Sequence, residues 1–167
     1  MMRCLDCGTR MRAHRNRTIP YPESGIPNLW LKGITVYRCR RCAAELPEIP
    51  NSRRLHRGIA DWLAQEPRPL SGPEFRFLRK QMGLRAQDLA EIVGVQRESV
   101  TRWETGAEPI GPPSDRLIRL VYGVWCIDET APLPPHLQRI RDALRSIARK
   151  RHRPAKLVLS PAALAVR

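Results

Sequence analysis

The stretch SGPEFRFLRKQMGLRAQDLAEIVGVQRESVTRWETG, residues 71–106, decides the fold of the second half of this 167-residue chain. It opens with Ser71-Gly72-Pro73-Glu74, the pattern of a capping box with proline in the first helical turn. Apolar side chains then recur at helical spacing, interrupted by glycines at Gly83, Gly94 and Gly106. The stretch predicts three short helices, the last two over about 86–93 and 96–105, with a tight turn between them.

Two short helices joined by a glycine turn indicate a helix-turn-helix, in which the first helix braces the second and the second enters the DNA major groove. Arginine there can contact guanine with two hydrogen bonds, and glutamate can accept one from the cytosine amine. The preceding helix begins near the DNA backbone, where free N–H groups favour a phosphate. The alternative is an ordinary solvated helix face. The expected DNA-binding residues are Arg85, Gln87, Gln96, Arg97, Glu98, Ser99, Thr101 and Arg102.

Four cysteines form two Cys-x-x-Cys pairs, Cys4/Cys7 and Cys39/Cys42, near the start of the chain. Each pair can present two thiolates, and two pairs complete the closed tetrahedral shell of a structural zinc ion. The 31 residues between the pairs predict an inserted hairpin or loop. An iron–sulfur cluster is the alternative metal group, and buried or redox-active thiols are the alternative without metal. Cys126 is expected in the core, and neither His14 nor His56 is expected to bind metal.

The chain as a whole predicts an α+β fold, with a small β-rich zinc-binding module ahead of an all-α helix-turn-helix domain. Residues 1–50 form the zinc module, whose core is too small to be stable without metal. Residues 51–70 form a connecting helix over about 52–65 and a Pro-rich linker. Residues 71–130 form the helix-turn-helix domain, and residues 131–167 form a basic C-terminal helix and tail.

Two further helices are predicted from apolar side chains at helical spacing. The connecting helix places Leu55, Ile59, Trp62 and Leu63 on one face, and a fourth helix of the second domain, about 113–125, buries Leu117, Leu120 and Val121. A C-terminal helix over about 136–151 carries a row of arginines that fits either phosphate contacts or a solvated face. That row is Arg141, Arg145 and Arg149.

The chain carries 30 Lys and Arg residues against 16 Asp and Glu residues, a formal net charge of +14. Such an excess favours a polyanionic partner, nucleic acid before a membrane surface. Residues 67–130 nevertheless carry nine basic and nine acidic side chains, so selectivity there has to come from placed contacts. No apolar run reaches membrane-spanning length and no secretion signal opens the chain, which predicts a cytoplasmic protein with reduced, metal-binding cysteines.

Two parts of the sequence resemble known families. Residues 70–80, 89–95 and 100–106 look like the helix-turn-helix of the xenobiotic-response-element family, which includes phage repressors. With residues 2–8 and 31–34 added, residues 1–125 resemble the MqsA family of antitoxins, which joins a YgiT-type zinc module to a helix-turn-helix.

The resemblance to the MqsA family implies a structural zinc ion bound by the four paired cysteines, and base contacts from Arg97, Glu98 and Arg102. It also implies a homodimer that binds a palindromic operator and represses its own operon, and a ribonuclease toxin bound by the N-terminal module.

These observations favour a sequence-specific transcriptional repressor of the antitoxin type, without enzymatic activity. The alternative is a toxin-neutralising adaptor in which DNA binding is secondary, and RNA binding is a third hypothesis suggested only by charge. Catalysis is disfavoured, because a closed four-cysteine shell leaves no metal position for substrate and no nucleophile–base pattern is present.

Overall fold

The computed structural model describes residues 2–49, 51–125, 134–135, 137–140 and 142. Three strands come first: β1 (Met11–Pro20), β2 (Trp30–Cys39) and β3 (Glu45–Glu48). The helices that follow are α1 (Ser52–Gln65), α2 (Gly72–Gln81), α3 (Ala86–Val93), α4 (Arg97–Thr105) and α5 (Pro112–Trp125). This order confirms the predicted α+β fold, with a small antiparallel sheet ahead of an all-α unit.

The sheet is a three-stranded meander with β2 in the middle. β1 pairs with β2 from Met11 opposite Cys39 to Pro20 opposite Trp30, and a loop with a short 3₁₀ turn connects them. This hairpin is the predicted insertion between the two cysteine pairs. β3 pairs only with Thr35–Arg38, so the first half of β2 has no strand neighbour on that side within the described part of the chain.

One hydrophobic core contains side chains from all five helices and also from the end of the sheet remote from the cysteines. Tyr21, Ile26 and Leu31 contribute that end of the sheet. The Tyr21 hydroxyl lies 2.8 Å from His56 Nε2 on α1, and the His56 ring packs edge-on against Phe77 of α2. The sheet is therefore packed directly on the helices as well as joined to them by the chain.

Arg119 on α5 holds the end of α1 in place. Its guanidinium donates to four carbonyl oxygens at 2.6 to 3.2 Å, two in the last turn of α1, where helix carbonyls lack intrahelical partners, and two just after it. Asp115 accepts from Arg119 Nε at 3.0 Å and from the Leu70 N–H at 2.8 Å, which holds the Pro-rich segment after α1 against α5. The carbonyls bound by Arg119 are those of Leu63, Ala64, Glu66 and Arg68.

Two apolar side chains lie outside the core, contrary to the prediction from helical spacing. Trp62 is 51% exposed and Leu120 is 64% exposed. The face of α5 that is buried contains Ile118, Val121 and Tyr122. Two overlapping apolar stripes on α5 fit the same helical spacing, and only the packing against the other helices decides which of them is buried.

The predicted C-terminal helix over about 136–151 lies almost entirely outside the described residues, as do its arginine row and Cys126. Residues 137–140 and 142 are helical.

Candidate metal centre and DNA-recognition helix

The pairing of β1 with β2 brings the two cysteine pairs together. The first pair precedes β1 and the second closes β2, and Met11 at the start of β1 lies opposite Cys39 at the end of β2. Cys4, Met11 and Cys39 form a small buried cluster of their own, separate from the main core. The topology therefore places four thiols at one end of the hairpin, although 31 residues separate the pairs in sequence.

Both cysteine pairs have the same backbone geometry. The N–H of Cys4 donates to the Thr9 carbonyl and the N–H of Cys39 donates to the Ala44 carbonyl, each at 2.9 Å and five residues on. Gly8 and Ala43 follow the second cysteine of each pair with φ of 69° and 58°. Left-handed backbone suits glycine but is rarely adopted by alanine, so the sequence signal was clear at Gly8 and weak at Ala43. The Arg41 N–H also donates to Cys39 Sγ at 3.4 Å.

The four sulfur atoms fit a tetrahedral ion. All lie within 4.8 Å of one another, and the shortest separations are 3.4 Å for Cys4–Cys42 and for Cys7–Cys39 and 3.7 Å for Cys7–Cys42. Sulfurs bound at about 2.3 Å to one zinc ion would lie about 3.8 Å apart, which needs only small movements here. Cys4 and Cys39 are buried, whereas Cys7 is half-buried and Cys42 is exposed.

The thiols influence one another's ionisation. Hydrogen bonds with Thr9 lower the pKa of Cys7 to about 6. A backbone hydrogen bond from Ala44 lowers the pKa of Cys42, but its contacts with the other three thiols outweigh that effect and raise the pKa to about 12. Four thiolates at this spacing repel one another, and a divalent cation removes that repulsion as its binding releases protons. The donor set therefore suits a metal ion better than it suits four free thiolates.

Neither histidine near this end of the sequence belongs to the cysteine cluster. His56 packs between Tyr21 and Phe77 in the main core, and His14 is exposed on β1. The two imidazoles therefore lie apart from the four thiols, and the absence of a histidine ligand stays a prediction.

The turn between α3 and α4 is short and well defined. Gly94 ends α3 with a φ of 73°, and its N–H donates to the Ala90 carbonyl. The Val95 N–H also donates to the Ala90 carbonyl, at 2.9 Å, and three residues separate the end of α3 from the start of α4. Gly106 ends α4 in the same left-handed conformation. These positions confirm the predicted helix, turn and helix.

A buried ion pair that the sequence analysis did not identify fixes the orientation of α4. Arg79 of α2 donates to both carboxylate oxygens of Glu104, at 2.5 and 2.9 Å, and to the Leu84 carbonyl at 2.6 Å. Arg79 is only 9% exposed. Its position four residues after Phe75, on the apolar face of α2, was the available signal. Val100 and Trp103 bury the inner face of α4, and Trp103 packs edge-on against Phe75 at 5.7 Å.

The first turn of α2 lies directly against the last turn of α4. A Cβ atom added to Gly72 would lie 2.2 Å from the Trp103 carbonyl oxygen and 2.9 Å from that of Glu104. The φ of Gly72 is ordinary, so the close backbone approach, and not the conformation, requires glycine here. The capping box predicted around it is present in part, because the Glu74 carboxylate accepts from the Ser71 N–H at 2.8 Å.

Three predicted DNA-binding residues lie together at the exposed start of α4. Gln96, Arg97 and Glu98 are exposed, and their side chains make no hydrogen bond or ion pair within the described residues. Thr101 is exposed one turn on. Arg102 is instead engaged, since it donates to Glu108 at 2.8 Å and to the half-buried Ser99 at 3.2 Å.

The other two predicted residues lie at the start of α3 and also have partners. Arg85 forms an ion pair with Asp88 at 2.8 Å, and this carboxylate accepts from the Arg85 N–H as well. The hydrogen bonds from Arg85 lower the pKa of Asp88. Gln87 donates to Glu91 at 2.8 Å. Asp88 therefore supplies the carboxylate half of a capping box at the start of α3.

Residues 75–121 match the helix-turn-helix family, a family of DNA-binding regulators. The match runs from α2 into α5 and includes all of α3, the turn and α4. The match supports a helix-turn-helix regulator of the Cro/C1 type and covers less than half of the chain. No curated protein and no solved structure matches the chain. Among the described residues no helix is long and apolar enough to cross a membrane.

Proposed function

We propose that this protein is a sequence-specific transcriptional repressor that recognises double-stranded DNA with α4. The observation that carries the proposal is the exposed, unpaired row Gln96, Arg97 and Glu98 at the start of a helix whose other face is fixed by buried contacts. A rigid helix with free polar groups at its N-terminal end is the arrangement that major-groove recognition requires.

The proposed contacts divide into two kinds. Arg97 and Glu98 contact bases, because their side chains need to break no internal pair first. Arg102 also contacts a base, a guanine, once its ion pair with Glu108 has broken. Thr101 is adjacent to Arg102 on the same exposed part of α4. Phosphate contacts are assigned to Gln96, Ser99, Arg85 and Gln87.

A binding-site selection followed by binding to the selected duplex and to a scrambled duplex tests this proposal. Replacing Arg97 with Ala should weaken binding to the selected site by about 1–3 kcal/mol and relax the preference at one base pair. Arg53→Ala, an exposed arginine on α1, is the matched control and should leave that preference unchanged. Equal affinity of the wild-type protein for all duplexes would contradict the proposal.

We infer that the repressor acts as a homodimer on a palindromic operator. The exposed Leu120 and the half-buried Val124 lie one turn apart on α5, next to the half-buried Leu117 at the margin of the core. This stripe suits a second copy of the helix across a twofold axis. Sedimentation should give a dimer for the wild-type protein and a monomer for Leu120→Asp, and a monomeric wild-type protein on a single half-site would contradict the inference.

The metal in the four-cysteine site is proposed to be a structural zinc ion. Cys4, Cys7, Cys39 and Cys42 would hold it, and it would supply stability and not chemistry, because the shell is closed. This proposal goes with a reducing cytoplasmic location. Native mass spectrometry should give one zinc per chain, whereas an iron–sulfur cluster would be coloured and would absorb in the visible range.

A second candidate function is an antitoxin, an adaptor that neutralises a ribonuclease toxin. It is favoured by an apolar groove of about 590 Å³ between β2 and α1, lined in part by the half-exposed Trp30 and Trp62. Exposed tryptophans beside a groove are typical of protein-binding surfaces. Co-expression with the product of a neighbouring gene tests it. Capture by the wild-type chain and loss of capture by Trp30→Ala with Trp62→Ala would support this function, and no capture would count against it.

A further inference from the structure

A basic groove of about 830 Å³ lies at the cysteine end of the sheet. Three of its lining side chains are arginines, Arg10, Arg12 and Arg40, and none is a carboxylate. All three are exposed, and their guanidinium groups have no ion-pair partner in the described part of the chain. Glu48 does not line the groove, but it accepts a 3.2 Å hydrogen bond from the hydroxyl of the lining residue Tyr37. The other lining residues are Met2, Thr9, Met11, Ala13 and Tyr37.

The same positive surface continues along β1. The sequence from residue 7 to residue 22 contains four arginines and no acidic residue, and β1 is exposed from Arg12 to Thr18. Ala13 on β1 lies opposite Tyr37, and Arg15 follows two residues further along the strand. The groove is therefore one end of a longer arginine row on an edge strand.

Little of the positive charge in residues 67–130 of the helical unit is free, since among the described residues only Lys80, Arg97 and Arg116 lack an ion pair there. Its arginines at positions 68, 76, 79, 85, 102 and 119 all form ion pairs with carboxylates of the same unit. Residues 67–130 are neutral overall. Affinity for DNA comes largely from side chains that neutralise phosphates and release counterions, so a neutral recognition unit needs positive charge from elsewhere in the chain.

We propose that the groove of Arg10, Arg12 and Arg40 binds the phosphate backbone of the duplex that α4 recognises, outside the base pairs contacted by α4. The proposal rests on the proposed function and adds a second DNA contact, one made by the metal-binding module. Arginine is suited to this role because its planar guanidinium donates two hydrogen bonds to one phosphate. The contact contributes affinity without sequence preference.

Two other roles for these arginines involve no DNA. Charged side chains on an edge strand prevent pairing with other sheets. Positive charge near the cysteines also offsets the two negative charges of a divalent ion bound by four thiolates. Either role alone predicts that removing the arginines leaves DNA affinity unchanged.

The experiment uses the full-length, metal-loaded protein and compares two triple variants that lose the same charge. The test variant is Arg10→Gln, Arg12→Gln and Arg40→Gln, and the control is Lys32→Gln, Arg53→Gln and Arg54→Gln. Affinity for the selected operator and for a scrambled duplex is measured across a series of salt concentrations. Metal content and thermal unfolding of each variant are measured first, and Arg10→Lys, Arg12→Lys and Arg40→Lys is included because it keeps the charge.

We expect the test variant to bind both duplexes about tenfold or more weakly at low salt, with the ratio between them unchanged. Each lost phosphate contact lowers the slope of log affinity against log salt by about 0.9, so the slope should fall by about 2–3. The control should keep the wild-type slope, and the lysine variant should recover most of it. An operator trimmed to its core should bind the wild-type protein and the test variant alike.

Equal slopes for the test variant and the control would overturn the proposal while leaving recognition by α4 intact. The proposal would also be overturned if the test variant bound the duplex as the wild-type protein does but lost binding to single-stranded RNA or to an acidic protein. That result would assign the groove to that partner. Failure of the proposed function itself has a different signature, since the wild-type protein would then bind operator and scrambled duplex equally.

Discussion

The cysteine end of the sheet and the helical unit are stabilised in different ways. Cys4, Met11 and Cys39 are the buried residues of the first cluster, whereas the main core contains eighteen buried residues from the helices and the far end of the sheet. A cluster of three cannot offset the conformational entropy of the segment it orders. A metal ion bound by the four cysteines would therefore take the place of a core at one end of the sheet only.

The two regions also differ in how they use arginine. In the helical unit arginines hold elements together, as Arg79 does for α2 and α4 and Arg119 does for α1 and α5. In the sheet the arginines of β1 project into solvent without carboxylate partners among the described residues. Net charge alone hides this difference, because an unpaired arginine can bind an external anion without first breaking an internal ion pair.

Removal of the metal should have the largest effect and should separate the two regions. Chelation, or Cys4→Ser with Cys39→Ser, should remove stabilisation on the order of 10 kcal/mol from the cysteine end of the sheet. Amide exchange of residues 2–18 and 35–48 should become fast, while that of α2 to α5 should stay slow. Cys126→Ser, which leaves four paired cysteines, is the control. Fast amide exchange throughout both regions would show that they unfold as one unit. The Pro-rich linker that ends at residue 70 would then not be a domain boundary.

Breaking the buried ion pair between Arg79 and Glu104 should destabilise the helical unit. Arg79→Met leaves Glu104 buried without its main partner and should lower the free energy of unfolding of the helical unit by about 3–5 kcal/mol. Arg76, which lies 3.8 Å from the same carboxylate and is largely exposed, is the control and should cost less than about 1 kcal/mol when changed to Gln. Denaturant unfolding measures both, and equal losses would mean that burial of Arg79 does not matter.

A single methyl group should test the contact between α2 and α4. Gly72→Ala places a Cβ atom against the backbone of Trp103 and Glu104, so the helices have to separate, and stability should fall by about 1–3 kcal/mol. Gly58→Ala on α1 meets nothing within 4 Å and should stabilise the protein by up to about 1 kcal/mol. Thermal unfolding should therefore give opposite signs for the two substitutions. Unchanged stability of Gly72→Ala would contradict the described packing.

A smaller effect is expected from pH. Burial raises the pKa of Glu74, but hydrogen bonds from Arg68 and Ser71 outweigh it, and the net pKa is lowered. A carboxylate with a lowered folded-state pKa stabilises the fold above its unfolded pKa, and this contribution is lost as the pH falls through the folded pKa. The free energy of unfolding should therefore fall in acid for the wild-type protein and fall less for Glu74→Gln. Asp88→Asn at an exposed pair should change the acid dependence less, and the reverse order would contradict this account.

Much of the fold follows from local signals in the sequence. Gly94 and Gly106 end helices as predicted, and Asn51 caps α1 by accepting from the Arg54 N–H at 3.0 Å. The four candidate metal ligands are identified by two Cys-x-x-Cys spacings alone. These features depend on residues within a few positions of one another, and such residues interact in the same way in any tertiary context.

Features that depend on packing between elements could not be predicted in the same way. Leu120 and Ile118 lie on overlapping apolar stripes, and the sequence does not say which one meets the core. The sequence shows Arg102 as a polar residue on α4, but not its pairing with Glu108, because the partner comes from the loop that follows. The DNA-binding residues therefore stay predictions, even though each of them lies on or beside the predicted helices.

The column of Tyr21, His56 and Phe77 has a consequence for the geometry of a complex. These rings join the sheet to α1 and α2. The sheet, with the cysteine cluster at its far end, should therefore move together with the helices. If two protomers bind half-sites about 34 Å apart, the operator also sets the distance between their two cysteine clusters. The number of base pairs between the half-sites would then determine how far apart two molecules bound at the cysteine ends are held.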